Sequence, residues 1–142
     1  MTNMRIVVGV DGSTWSYLAL EWAVREADLN SALLEIIHVE EFRREALETY
    51  APQILKESAE ILDTAISTAR ALSTGIEIVG RRLEPPVGER IVEASRTADL
   101  LVVGSRGLTG LRELTLGSVS DYCAHHAHCP VVIVRQKLPN EE

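Results

Sequence analysis

Three glycines and a serine stand at a spacing that suits an anion. Gly104, Gly107, Gly117 and Ser118 punctuate the segment GSRGLTGLRELTLGS, which runs from residue 104 to residue 118. Glycine at these places permits positive φ and lets backbone amides approach a ligand with no Cβ in the way. Where such a stretch leads into a helix, the first amides of that helix have no partner in the chain, and phosphate is the chemistry to expect. Hydroxyls on Ser105, Ser118 and Ser120 add donors, and Arg106 or Arg112 can bring positive charge to terminal phosphates. The alternative is a loop whose glycines serve only turns and packing.

Two commoner phosphate machines are excluded by the residues themselves. No Gly-Lys-Ser/Thr follows the glycines, so no lysine reaches the β and γ phosphates as in a Walker A loop. Nor is the first strand followed by G-x-G-x-x-G: after Val10 come Asp11, Gly12, Ser13 and Thr14. Fast P-loop hydrolysis and NAD chemistry are therefore not expected. No Ser-His-Asp order and no pair of carboxylates beside a base can be argued either.

The elements that must hold this loop alternate between two periods. Arg5 to Val10 is a β-branched run, Asp11-Gly12-Ser13 is turn chemistry with Ser13 placed to cap a helix, and Leu18, Trp22, Ala23 and Leu29 return at helical spacing. Leu33 to Val39 reads as a second strand, and Glu40 to Ala51 as charged and irregular. Ile54, Ser58, Ile61, Leu62, Ala65, Ala69 and Leu72 mark one face of a long helix, Ile76 to Leu83 a third strand at an edge, and Pro85-Pro86 the start of a short helix through Ser95. Leu100 to Val103 is a fully apolar fourth strand. A helix from about Ser118 to His126 and a last strand from Val131 to Val134 complete the chain. Strands alternating with helices specify an open parallel α/β sheet covered on both faces, in one domain spanning residues 1–142. The long loop leaves the end of strand four, and ligands of such sheets bind beyond the carboxyl ends of strands.

Composition sets outer limits. The chain has 142 residues, 46% hydrophobic and 25% charged, as expected for an ordinary globular core. A net charge of −7 argues against nucleic acid and anionic membranes as partners, so binding of a phosphorylated ligand needs a local anion pocket. The opening MTNMRIVVG lacks the pattern of a leader, two cysteines make no disulfide framework, and a cytoplasmic location is expected.

At this point the chain resembles the universal stress protein family in its ATP-binding branch. The phosphate motif of that branch, G-x-x-G, nine residues, then G-S, is matched by Gly104, Gly107, Gly117 and Ser118, followed by Val119-Ser120. The resemblance also takes in VGVDGS at 8–13, His38-Val39, ADLLVVGSRG at 98–107 and CPVVIV at 129–134. It implies a Rossmann-like sheet of five strands in the order 3-2-1-4-5, with ATP over the carboxyl ends of strands 1, 2 and 4; Mg²⁺ is expected with the phosphates, since it commonly uses one or two carboxylates plus phosphate oxygens and Asp11 can help to hold it. In that picture Asp11 contacts the nucleoside, Val39 offers backbone groups to adenine, and Gly104, Arg106, Gly107, Gly117, Ser118, Val119 and Ser120 surround the phosphates. It further implies a nucleotide-responsive regulatory module in stress or dormancy, and a homodimer joined through the last strand, Val131 to Val134. Slow ATP hydrolysis and cyclic AMP binding in the same pocket stay open, as do plainer roles for Asp11 as a turn-former and Val39 as strand core.

Other residues carry weaker signals. Cys123, His125, His126, His128 and Cys129 crowd one segment, but Pro130 breaks the helix there and the spacing fits no standard zinc finger. Trp22 reads as core and Trp15 lies nearer the expected pocket. The Glu40-Glu41 and Arg43-Arg44 cluster reads as a lid, a metal contact or a solvated face.

Overall fold

In the computed structural model, which describes residues 3–106 and 116–135, the β-branched runs become five strands. They are β1 (Arg5–Gly9), β2 (Leu33–Val39), β3 (Ile78–Leu83), β4 (Leu100–Gly104) and β5 (Val131–Val134). The connecting helices are α1 (Thr14–Asn30), α2 (Arg44–Tyr50), α3 (Pro52–Leu72), α4 (Val87–Ala94), a 3-10 turn at Ser95–Thr97, and α5 (Ser118–His126). Every pairing is parallel and the order is β3-β2-β1-β4-β5, the order the family resemblance implies.

Successive strand residues point to opposite faces, so each strand feeds two cores. Ile6, Val8, Leu34, Ile36 and Val102 pack under α1 and α3, against Ala19, Leu20, Ala23, Ala65 and Ala69. Val7, Ile37, Val39, Leu101 and Val103 pack under α4 and α5, against Ile91, Val92 and Cys123. Each large side chain fully buried this way stabilises the fold by about 1.5–3 kcal/mol before entropy is counted. Glu35, on the same face of β2 as Ile37, is only 1% exposed. Its Oε2 accepts from Arg5 and its Oε1 from Arg81 Nη1 at 2.8 Å, so both oxygens of the buried charge are matched from the neighbouring strands.

Three sequence expectations change. Residues 40–51 are not wholly irregular, because Arg44–Tyr50 is a helix. It has a single apolar anchor, the buried Leu47, so no periodicity announces it; good helix formers and the Arg44–Glu48 pair at 3.3 Å support it instead. β3 starts at Ile78, not Ile76, since β2 begins at Leu33 and its register with β3 opens at Leu34↔Ile78. Leu29, Ile54 and Leu72, placed on apolar stripes, are 81%, 45% and 52% exposed. They sit in the end turns of α1 and α3, and α3 alone, at 21 residues, is about 31 Å long and overhangs the sheet.

β3 and β5 form the two edges. Among the described residues no helix is long and apolar enough to cross a membrane.

Candidate functional site

A cavity of about 650 Å³ opens at the carboxyl ends of β1, β2 and β4, inside the range of small-molecule sites. Val87 and Ile91 of α4 add apolar wall, and the rest of its lining comes from four stretches that are far apart in sequence.

The first is the turn after β1. Asp11 Oδ1 accepts from the Ser13 N–H at 2.9 Å, and Gly12 takes φ +85°, a conformation that side-chain-bearing residues rarely adopt. Ser13 then caps α1, its Oγ accepting from the Ser16 N–H at 3.2 Å. The plainer reading of Asp11 as a turn-former therefore holds, and Asp11 lines the cavity as well.

The second is the end of β2. The β1–β2 ladder stops at Gly9↔Ile37, two residues before Val39, so on its β1 side the Val39 peptide edge lies past the last ladder pair. Val39 borders the cavity there. His38 is buried, with Nδ1 2.7 Å from the Val10 carbonyl oxygen. An oxygen acceptor requires Nδ1 to carry the proton, and this bond ties the ends of β1 and β2 together. Glu40 is also buried, whereas Glu41 is exposed, and both border the cavity.

The third joins the end of β4 to the start of α5. Gly104, Arg106, Gly117, Ser118, Val119 and Ser120 all line the cavity, while Gly107 and Arg112 lie outside the described residues. Gly117 is the N-cap of α5 and has no side chain with which to cap it. Its carbonyl accepts the helical bond from Asp121 at 2.9 Å, which leaves Ser118, Val119 and Ser120 as the first-turn amides. The Gly117 N–H is spent on the Ser105 carbonyl at 2.6 Å. The Ser120 hydroxyl, expected as a ligand donor, is committed to carbonyl oxygens instead, that of Ser105 at 2.9 Å and that of Gly117 at 3.1 Å. It pins the strand end to the helix start. Gly104 has a second duty, because a Cβ there would meet the Trp15 backbone.

The fourth is a roof that the sequence did not announce. Phe42, Leu47, Ile54, Ser58 and Ile61 close the cavity on the α2–α3 side. Glu40, Glu41 and Glu57 make this end acidic, Asp11 adds a carboxylate from the β1 turn, and Arg106, after β4, is the cation among the described lining residues. An anionic group is thus directed toward the start of α5 and a neutral donor-bearing group toward β2.

The remaining candidates lie elsewhere. Trp22 is half-buried against the first core. Among the described residues no three His, Cys, Asp or Glu side chains come together to hold a metal, and His125, His126 and His128 are exposed. Cys123 is fully buried, which pushes its thiol from the ordinary 9.0 up to about 11. Burial, and then the Asp99 carboxylate, push Cys129 up as well. Both shifts hold the thiols in their protonated form at neutral pH.

A family model described as the universal stress protein family matches residues 2–135. Universal stress protein YxiE of Bacillus subtilis is 34% identical over 148 residues, covering 92% of this chain and 98% of that protein. Universal stress protein Mb2019 of Mycobacterium bovis is 31% identical over 160 residues, covering 96% of this chain and 49% of the relative. The chain thus spans about half the length of the mycobacterial relatives it matches. Among solved structures, a universal stress protein in complex with cAMP is similar at a TM-score of 0.71 and 31% identity, covering 95% of this chain and 98% of that one. The Archaeoglobus fulgidus universal stress protein in complex with dAMP is similar at 0.72 and 25% identity, covering 94% and 98%.

Proposed function

This chain belongs to the universal stress protein family, and from that premise we propose that it binds an adenine nucleotide, ATP above all, in the cavity at the strand ends. The observation that carries the reading is the polarity of that cavity. Unspent helix amides and Arg106 line one side, and a free strand edge with acidic neighbours lines the other. Gly104, Gly107 and Gly117 let the backbone close on the phosphates, and the amides of Ser118, Val119 and Ser120 donate to them. The Val39 peptide edge meets adenine, and Asp11 contacts the nucleoside. Relatives solved with cAMP and dAMP support the adenine part.

Asp11 is the carboxylate that would hold Mg²⁺ together with phosphate oxygens, the usual terms on which that ion binds, and the ion would there supply positive charge against the repulsion between the phosphates and the acidic wall. The chain is a regulatory module of the cytoplasm. A second copy pairs along the edge strand β5, whose four apolar residues are half-buried within one chain. Cyclic AMP is the second reading, favoured by the relative solved with it.

Release of bound nucleotide from denatured purified protein, followed by chromatography, tests the reading. ATP, AMP or cyclic AMP in the supernatant supports it and identifies the form. Timed phosphate release separates binder from enzyme, since turnover at or above ~1 s⁻¹ contradicts a regulatory module.

A further inference from the structure

Five large apolar side chains stay exposed among the described residues, and their placement is uneven. Leu29 and Leu72 sit in the last turns of α1 and α3, and Tyr50 ends α2. Phe42 and Ile54, 55% and 45% exposed, instead border the same cavity. Phe42 stands in the bend between β2 and α2, three residues beyond Val39, and Ile54 in the first turn of α3. The other apolar roof residues are already covered by the fold, since Leu47 is buried and Ile61 packs on the first core. The roof surface still open to water is therefore largely that of Phe42 and Ile54.

Apolar surface at a cavity mouth is covered favourably by an apolar ligand group. The charges around it decide which group that is. Glu41 directly precedes Phe42, and Glu57 follows Ile54 by one helical turn on α3; both are exposed and both border the cavity. Two carboxylates beside the roof turn phosphates away from it, toward Arg106 and the start of α5. A ribose is rich in hydroxyls, so the flat and weakly solvated part of a nucleotide is its base. Val39 meets the edge of that base in the proposed complex, and Phe42, three residues on, is within reach of its face. Aromatic rings stack on bases through their faces, and the contact does not depend on the base's hydrogen-bond pattern.

We infer that Phe42, with Ile54 beside it, covers the face of the nucleotide base. The inference rests on the adenine-nucleotide reading and adds to it the residue that grips the ring. Peptide groups at the end of β2 read the edge of the base, while Phe42 supplies affinity through stacked area. The exposure of both apolar side chains in the empty cavity is then explained by the ligand they receive.

Calorimetric titration of full-chain variants with ATP tests this. Phe42→Ala removes an exposed ring and is expected to melt close to the wild type without nucleotide, yet to bind ATP at least about fivefold more weakly. A smaller loss in the folded variant overturns the assignment. Phe42→Tyr keeps the ring and is expected to bind ATP within about twofold of wild type; a loss as large as that of Phe42→Ala overturns stacking. Phe42→Trp supplies a spectroscopic reading, because an indole stacked on a purine is quenched. ATP is expected to lower its tryptophan emission beyond the change seen in the wild type, which carries Trp15 and Trp22. Binding of ATP without that extra quenching overturns the role of Phe42 and leaves adenine-nucleotide binding in place. Should Phe42→Ala not fold, the tryptophan variant decides alone. Failure of the wild type to bind any adenine nucleotide removes both readings.

Discussion

The α-carbon of Gly104 lies directly against the backbone of Trp15: a Cβ at position 104 would come within 2.7 Å of the Trp15 carbonyl oxygen and 2.8 Å of its carbonyl carbon. Strand β4 thus ends in contact with the first turn of α1. The glycine that opens the proposed phosphate loop is also the one that lets helix and strand approach. Both uses need the same missing side chain, so the residue type alone cannot separate them.

Gly104→Ala is expected to destabilise the protein by about 1–3 kcal/mol, because the atoms it meets are backbone rather than the movable end of a side chain. Chemical denaturation of the nucleotide-free protein measures this. An unchanged midpoint would mean that the close approach is not needed, and the glycine would then be explained by ligand alone.

Gly117→Val separates the two roles from the other side. Gly117 has φ −74° and ψ 166°, values open to any residue, so the substitution introduces no backbone strain. The fold is expected to persist while a branched side chain blocks approach to the start of α5. ATP affinity should fall at least about tenfold, a loss of 1.4 kcal/mol or more. A folded variant with wild-type affinity would contradict the phosphate assignment.

Cys123 gives a pH dependence that needs no ligand. Its folded value, about 11, is above its ordinary 9.0. The folded state therefore holds the proton more tightly, and the stability this contributes is complete below pH 9 and is lost as pH rises through 11. The amount is on the order of 2–3 kcal/mol, since each unit corresponds to about 1.4 kcal/mol. Urea denaturation from pH 8 to 11 should show a fall in stability that is shallower in Cys123→Ala. Equal slopes would place the loss in other groups.

Much of this architecture is legible from residue type. The runs Arg5 to Val10 and Leu100 to Val103 read as strands and match β1 and β4 to within a residue, and turn chemistry at Asp11-Gly12-Ser13 placed α1 to within a residue. The spacing from Gly104 to Ser118 pointed at the strand end where the cavity lies. What was not legible depends on distant partners. α2 has one apolar anchor and so no period to detect. Glu40 stands in a charge run and looks solvated, whereas the fold buries it beside Arg82 on β3 and Ser58 on α3. The Ser120 hydroxyl looked free because its acceptor, the Ser105 carbonyl, comes from the far side of the loop.

The central claim is tested most directly by titrating nucleotide-stripped protein with ATP and Mg²⁺ while following thermal unfolding. Binding to the folded state alone stabilises it by about 2.7 kcal/mol at a hundredfold excess over Kd, a shift of several degrees in Tm for a domain of this size. The account predicts a saturable rise in Tm with ATP that Gly117→Val moves to at least about tenfold higher ATP concentration. A Tm unmoved by ATP, AMP or cyclic AMP at millimolar concentration would contradict it.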